Sequence, residues 1–427
     1  MPQPQKIHFL GIGGSGLSGI AQIAKSVGFE VTGCDLSLDS PYLDKVKSLN
    51  IPILSGHSSN HLKNIDLLAV SPAVFYQNSR HPELVGAQKA GILIKWQDFM
   101  GKYLHPGNTV IAIAGTHGKS TTTALTGLLL EAAGMDPMVE VGAIVPAWDN
   151  NIRIGFNHYF VSEADEFHDN FATYYPDILL ITLVEYDHPE YFNSVDNMLV
   201  HYQNLINRLK PNGTVIYNAD SPLVEKLKLP KNSIPYHLHE FQPQNFPLGI
   251  AGDHNRLNAL AVINLSRLLK IPDSVLTKTL SGFHGLHRRM EFLGDKKGIS
   301  VYDDYANHPS SFAATINAIK ENHPDSRIWA VVEPHTFSRL RVLKDQLAES
   351  FKNADQIIIS QIYPSREQDP GDFTGEDIAK AIPNARFIPE FDTIVTILKK
   401  ETIYGDIILV MGSGNSYRLS RQILNSL

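Results

Sequence analysis

Cysteine is nearly missing from this chain: Cys34 is the single one in 427 residues, so no internal disulfide is available. Basic residues are outnumbered, 37 Lys and Arg against 44 Asp and Glu. The resulting formal charge of −7 argues against a nucleic-acid-binding body, which normally needs a basic face. No uninterrupted apolar run approaches the roughly 18 residues that cross a bilayer, and no charged-then-apolar leader opens the sequence. A cytoplasmic protein with neither nucleic-acid nor membrane partners is expected. Cys34 itself reads as a small buried residue rather than a nucleophile, because no base is visibly paired with it.

Apolar residues make up 43% of the chain, enough for real cores, and its length points to roughly three domains. The organising stretch is Gly115-Thr116-His117-Gly118-Lys119-Ser120-Thr121. Thr109 to Ala114 before it reads as a buried strand, and Ala124 to Ala133 after it as a helix that stops at Gly134 and Pro137. Strand, Gly-rich turn and helix in that order suit a phosphate-binding loop. Backbone N–H groups and the positive helix end meet the phosphates, Lys119 adds a point charge, and the Ser120 hydroxyl is a ligand for Mg²⁺. The turn is shorter than the general pattern, with only Thr116-His117 between its glycines.

A second Gly-rich turn, Gly11-Ile12-Gly13-Gly14-Ser15-Gly16, follows the strand Ile7 to Leu10 and precedes a helical run, Ile20 to Val27. The next strand, Glu30 to Cys34, ends in Asp35, placed where a ribose is met. This turn fits a dinucleotide or a nucleotide sugar without choosing between them. Tyr103 to Asn108 reads as a linker. Further strands run into acids and histidines: His158 to Ser162 into Glu163-Ala164-Asp165-Glu166, and Ile178 to Val184 into Glu185-Tyr186-Asp187-His188. Ligands gather at the carboxyl ends of strands in open parallel sheets, so these groups should converge near the phosphate loop and suit Mg²⁺. Asn255 and Asn258 open a long helix, either as readers of a base edge or as cap residues. Strand–loop–helix grammar then repeats through Ile299 to Tyr302, Ile328 to Val332 and Ile407 to Met411, giving another doubly wound domain.

Taken in order with His254-Asn255, Arg288-Arg289, Asp303-Asp304-Tyr305 and Pro334-His335, these motifs resemble those of the Mur ligases of peptidoglycan synthesis, from Ile7 nearly to the C-terminus. The resemblance implies an α/β protein of three domains: an N-terminal Rossmann-like domain for a UDP-sugar (1–105), a central P-loop ATPase domain (106–294) and a C-terminal Rossmann-like domain on the amino-acid side (295–427). It implies ATP and Mg²⁺, and an acyl phosphate formed on a sugar-borne carboxylate and attacked by an amine. Pro334-His335-Thr336-Phe337-Ser338-Arg339 and Ile362-Tyr363-Pro364-Ser365-Arg366-Glu367 look most like the branch joining L-alanine to UDP-N-acetylmuramate. Leu183-Val184-Glu185-Tyr186-Asp187-His188 looks closer to the branch that attaches a murein tripeptide.

The resemblance also implies residue roles. Gly115, Thr116, Gly118, Lys119, Ser120 and Thr121 would hold the nucleotide phosphates, with Arg288 on phosphate oxygens, Asn255 and Asn258 on adenine, and Asp303 on the ribose. Ser120 and Glu163 would take one Mg²⁺, and Glu163 and His188 a second. Gly13, Gly14, Ser15, Gly16 and Asp35 would line the UDP-sugar. His308, His335 and Arg339 would face the amine and the developing negative charge. Departures from the family pattern fall at Phe167-His168, Leu183 and Asn307. No lysine lies between His188 and Arg208, so a carbamylated lysine near the metals is not expected. Monomer and homodimer stay open.

Overall fold

Short apolar runs ending in Gly-rich or acidic turns become parallel strands, because a strand covered by helices on both faces has no polar side to present. The structure, a computed structural model, describes residues 5–40, 42–78 and 80–427, without the side chains of Tyr76 and Gln77. Three sheets organise the chain. The first comprises β1 (Lys6–Leu10), β2 (Glu30–Asp35), β3 (Ile53–Ser55), β4 (Leu67–Val70) and β5 (Leu93–Lys95) in the order 3-2-1-4-5. All its pairings are parallel, which is the Rossmann arrangement with its strand order reversing beside β1.

The second sheet holds β6 (Thr109–Ala114), β7 (Met138–Val145), β8 (Asn150–Arg153), β9 (Tyr159–Ala164), β10 (Ile178–Ile181), β11 (Thr214–Asn218) and β12 (Ile234–Tyr236) in the order 12-11-10-6-9-7-8. Only the β7–β8 edge is antiparallel. Its order reverses at β6, so the turn after β6 opens between the ends of β9 and β10. Both sheets belong to one compact unit. There the helix Ser15–Ser26 lies against β7 and β8, and Asn151 Nδ2 donates to Ser15 O at 2.5 Å.

The other unit holds the third sheet together with Asp187–Asn193 and Leu248–Arg256. Its strands are β13 (Glu291–Lys296), β14 (Ile299–Asp304), β15 (Ile328–Val332), β16 (Gln356–Ile359), β17 (Ala385–Phe387) and β18 (Ile407–Met411), in the order 13-14-18-15-16-17. Alternate side chains of β15 divide between two cores. Ile328, Ala330 and Val332 pack with Phe312, Ile316 and Leu340 on one face, while Trp329 and Val331 pack with Ile394, Leu398 and Leu419 on the other. The period of two thus fills both layers of a helix–sheet–helix sandwich.

Several expected boundaries move. The helices after the two Gly-rich turns begin at Ser15 and Lys119, inside the motifs rather than after them. The strand expected to reach Val184 ends at Ile181, because Leu183 turns its carbonyl to the phosphate loop. Tyr103 and Leu104, assigned to a linker, lie in the helical turn Met100–Leu104. The short strands β3, β8 and β17 gave no apolar run in the sequence to mark them.

Gly33 shows how tightly the first turn is seated. A Cβ there would lie 2.5 Å from Ile12 Cδ1 and 2.7 Å from Ile12 Cβ, so any side chain must displace Ile12 and with it the Gly-rich turn. Gly33→Ala should cost about 1–3 kcal/mol in urea denaturation, and adding Ile12→Ala should cost less than the sum of the two single changes. Strict additivity would show that the two positions do not touch.

Candidate active site

The phosphate loop is held by backbone bonds to the chain beyond β10. Leu183 O accepts from Thr116 N at 2.7 Å and from His117 N at 3.3 Å, and Thr116 Oγ1 exchanges bonds with the backbone of Glu185 at 2.8 and 3.0 Å. Thr182 Oγ1 donates to His117 O at 2.5 Å. Gly118 caps the helix Lys119–Ala132 in the left-handed region, φ 84°, without a side-chain cap and with no acidic residue in the first turn. The dipole end and the first N–H groups of that helix are therefore not neutralised from within it. A Cβ on Gly118 would run into the Asn258 carboxamide, so glycine is required for conformation and for space.

Lys119 turns back over this loop. Its Nζ donates to Gly115 O at 2.6 Å and to the buried Glu166 at 2.8 Å, with Asp165 at 3.8 Å. Burial alone would lower its pKa, but Glu166 and Asp165 outweigh it and hold the ammonium above its usual value. Beside it the acids are crowded. Burial, reinforced by the charge of Glu163, pushes the Glu140 carboxyl well above the carboxylate range. Glu163 itself accepts from Gly142 N at 2.6 Å. Carboxylate and hydroxyl oxygens such as those of Glu163 and Ser120 fit Mg²⁺. Ser120 lies buried in the first turn of the same helix. Glu140 and Glu166 had no assigned role in the sequence; each becomes legible only once β7 and β9 are adjacent.

In the first sheet, Asp35, expected to meet a ribose, accepts from Gly13 N at 2.8 Å and from Ser37 N at 3.1 Å. Ser40 Oγ donates to Gly13 O at 2.7 Å. Gly16 is packed on the Trp96 indole, where a Cβ would lie 2.6 Å from the ring. Gly14 caps the helix Ser15–Ser26, again without a side-chain cap.

In the other unit, Arg339 is not a free cation. Its Nε meets Asp187 Oδ1 at 2.7 Å and its Nη2 meets Oδ2 at 3.2 Å, both residues being buried. Burial would raise the Asp187 pKa, but the Arg339 charge, with His188, holds it well below the usual range. His335 stands 3.3 Å from Arg339 and stacks on Tyr363. Burial, then the charges of Arg339 and Arg366, lowers its pKa to about 3, so it is a neutral hydrogen-bonding group. His188, in a left-handed conformation, faces Glu190 at 3.0 Å. Against burial, Asp187 and Glu190 raise its pKa. His308 caps the helix Pro309–Asn322 through Ser310. Glu367 binds Phe337 N and Ser338 N at the start of the helix Phe337–Ser350 that carries Arg339.

Arg288 and Asp303 also fall in this unit. The guanidinium lies between the Tyr305 and Tyr417 rings and donates to Gly412 O at 2.7 Å. Asp303 Oδ1 is buried without a hydrogen-bond partner, an acceptor suited to a ligand hydroxyl. Burial, only partly offset by Arg288, raises its pKa to about 6. Asn255 Nδ2 bonds Ala251 O within its own helical start. Asn307, where the family pattern has histidine, donates to Ser413 Oγ at 3.0 Å.

This geometry agrees with what the chain is similar to. Residues 6–105 match the Mur ligase family, catalytic domain; 113–246 the Mur ligase middle domain; and 288–414 the Mur ligase, glutamate ligase domain. The chain belongs to the Mur ligase family. A UDP-N-acetylmuramate–L-alanine ligase of Caldanaerobacter subterraneus subsp. tengcongensis is 34% identical over 452 residues, covering 98% of this chain and 97% of that one. The crystal structure of a UDP-N-acetylmuramate–alanine ligase from Thermotoga maritima superposes with a TM-score of 0.80 at 25% identity, over 99% of both chains. A murein peptide ligase from Psychrobacter arcticus gives 0.70 at 23% identity over 98% of both, and shares the fold. Within the family frame, the described residues contain no helix long and apolar enough to cross a membrane.

Two outcomes check the electrostatics. Asp187→Asn or Arg339→Met alone should destabilise this Mur ligase by about 3–5 kcal/mol, because each leaves an uncompensated buried partner, while the double variant should recover most of that loss. Asp303 has a raised pKa, so the stability linked to its protonated form is complete below pH ~3.8 and is lost as the pH rises through about 6. Asp303→Asn should therefore raise Tm at pH 8 relative to the parent but not at pH 4. Equal shifts at both pH values would contradict this assignment.

Proposed function

We propose that this Mur ligase joins L-alanine to UDP-N-acetylmuramate at the expense of ATP, with ADP and phosphate as products. The observation that carries the reading is the full-length likeness to ligases of that name, joined to a phosphate loop whose helix N-terminus has no side-chain cap and over which Lys119 folds. The Rossmann-like domain (1–105) would take the UDP-sugar, the central domain (106–294) ATP, and the C-terminal domain (295–427) the amino acid.

In this reading Lys119 exchanges its bond to Glu166 for the β- and γ-phosphate oxygens, and the N–H groups of Gly118 to Thr121 receive the remaining charge. Ser120, Glu163 and His188 would hold Mg²⁺, which when bound neutralises phosphate charge. The muramate carboxylate attacks the γ-phosphorus and ADP leaves. The alanine amine then adds to the acyl-phosphate carbonyl, and phosphate departs with the former carboxylate oxygen. Asp303 would accept a ribose hydroxyl through its unpartnered oxygen. Asn258 stands against Gly118, and Asn255 and Asn258 would read adenine. Arg339, its charge matched by Asp187, would orient the neutral His335 toward the amine side rather than bind substrate alone.

A murein tripeptide as amine donor is the second reading, motivated by Leu183-Val184-Glu185-Tyr186-Asp187-His188 and Arg289-Met290-Glu291. Leu183, however, serves the loop through its carbonyl, which any residue supplies. Purified protein with UDP-N-acetylmuramate, ATP and Mg²⁺ should release phosphate when L-alanine is added. Release with L-Ala-γ-D-Glu-meso-diaminopimelate alone would overturn the first reading in favour of the second. Lys119→Ala should lower turnover by on the order of 10³-fold or more and leave UDP-sugar affinity by calorimetry nearly unchanged.

A further inference from the structure

A second constellation of chemistry-bearing side chains lies beneath the Gly-rich turn of the first sheet, and none of the roles above uses it. His8 on β1, Cys34 on β2, His61 in the helical turn Ser59–Leu62 and Glu83 in the helix Pro82–Ala90 bring one donor atom each within 4.8 Å of one another. Cys34 Sγ stands 3.3 and 3.5 Å from the two Glu83 oxygens, His61 Nδ1 2.9 Å and His8 Nε2 3.8 Å from Glu83. Bonds of about 2.0–2.3 Å from a tetrahedral ion to N, O and S imply donor separations of about 3.3–3.8 Å. The Cys34 and His8 distances to Glu83 fall in that range and His61 is closer, hydrogen-bonded to the carboxylate, so four segments bring the donors within a small shift of tetrahedral spacing.

Burial supplies a second, independent observation. His8 is fully buried, its Nδ1 meets Thr32 Oγ1 at 2.7 Å, and its Nε2, pointing into the cluster, has no hydrogen-bond partner. Burial keeps this ring neutral, with a pKa of about 4, as a metal-ligating imidazole must be. Cys34 and Glu83 are likewise fully buried. Burial and the Glu83 charge push the thiol pKa up, so without a cation the proton stays on sulfur. A divalent ion would release that proton to solvent, and the thiolate and carboxylate would then cancel its two charges, leaving a neutral centre that tolerates burial. His57 Nδ1, 3.2 Å from Cys34 Sγ, is placed to donate to the sulfur. The expectation that no base stands near Cys34 is therefore corrected: His57 and Glu83 are distant in sequence and adjacent in the fold.

We propose that His8, Cys34, His61 and Glu83 form a transition-metal site of the zinc class, separate from the Mg²⁺ position of the ligase reaction. One thiolate with imidazoles and a carboxylate favours Zn²⁺ or Co²⁺ over Mg²⁺. The site ties β1, β2 and the helix Pro82–Ala90 together directly under the turn whose Gly11 and Ile12 N–H groups bond Cys34 O.

The test uses the untagged, full-length, EDTA-treated protein. Titration with Co²⁺ should give one equivalent bound with a near-ultraviolet thiolate-to-cobalt band and intense tetrahedral visible bands, displaced by Zn²⁺ and indifferent to excess Mg²⁺. The chain has one cysteine, so that band reports Cys34 alone. Cys34→Ser should abolish it, and His61→Ala should weaken Co²⁺ binding at least tenfold. X-ray absorption of the zinc form of the parent, which needs no variant, should give one sulfur at about 2.3 Å and N/O ligands at about 2.0 Å. A saturated parent protein without the near-ultraviolet band, a zinc shell without sulfur, or unchanged affinity in His61→Ala would overturn the proposal.

Discussion

The structure of the central domain depends on two bonds from one carbonyl. Leu183 O takes the N–H groups of Thr116 and His117, which fixes the loop after β6 against the chain after β10. Parallel sheets put such loops at the strand ends where the order reverses, and β6 is that strand here. The Lys119–Glu166 pair depends on this arrangement. With the loop fixed, the ammonium reaches across to the end of β9, where a phosphate would compete for it.

Charge in this protein is largely matched before any ligand arrives. Arg339 is spent on Asp187, Arg288 lies between two tyrosines beside Asp303, and Lys119 is held by Glu166 and Asp165. The groups left over are carboxyls: Glu140, its pKa raised by burial and by Glu163, and Asp303, one oxygen of which has no hydrogen-bond partner. The uncapped helix end and the Glu163 carboxylate call for opposite charges, and magnesium-bound triphosphate would supply both.

Much of the fold could be read from the chain. β6, β15 and β18 stand where apolar runs and punctuating residues placed them, because buried parallel strands need continuous apolar sequence. Edge strands such as β3 and β8 carry no such signal. At the site, the phosphate loop was legible because strand, turn and helix are contiguous. What sequence could not supply was pairing across distance. Asp187 and Arg339 are 152 residues apart, and no local pattern predicts that an arginine read as substrate-facing is buried against a carboxylate. The same holds for Cys34, whose partners His57 and Glu83 come from other segments of the first sheet's domain.

The central claim is that the phosphate loop serves to activate a carboxylate, not to hydrolyse ATP. Supplying UDP-N-acetylmuramate with ¹⁸O in its carboxylate, together with L-alanine and unlabelled ATP, tests this directly by ³¹P NMR of the released phosphate. The account predicts one ¹⁸O atom in each phosphate formed with amide product. Phosphate carrying no label, with its new oxygen drawn from water, would contradict it.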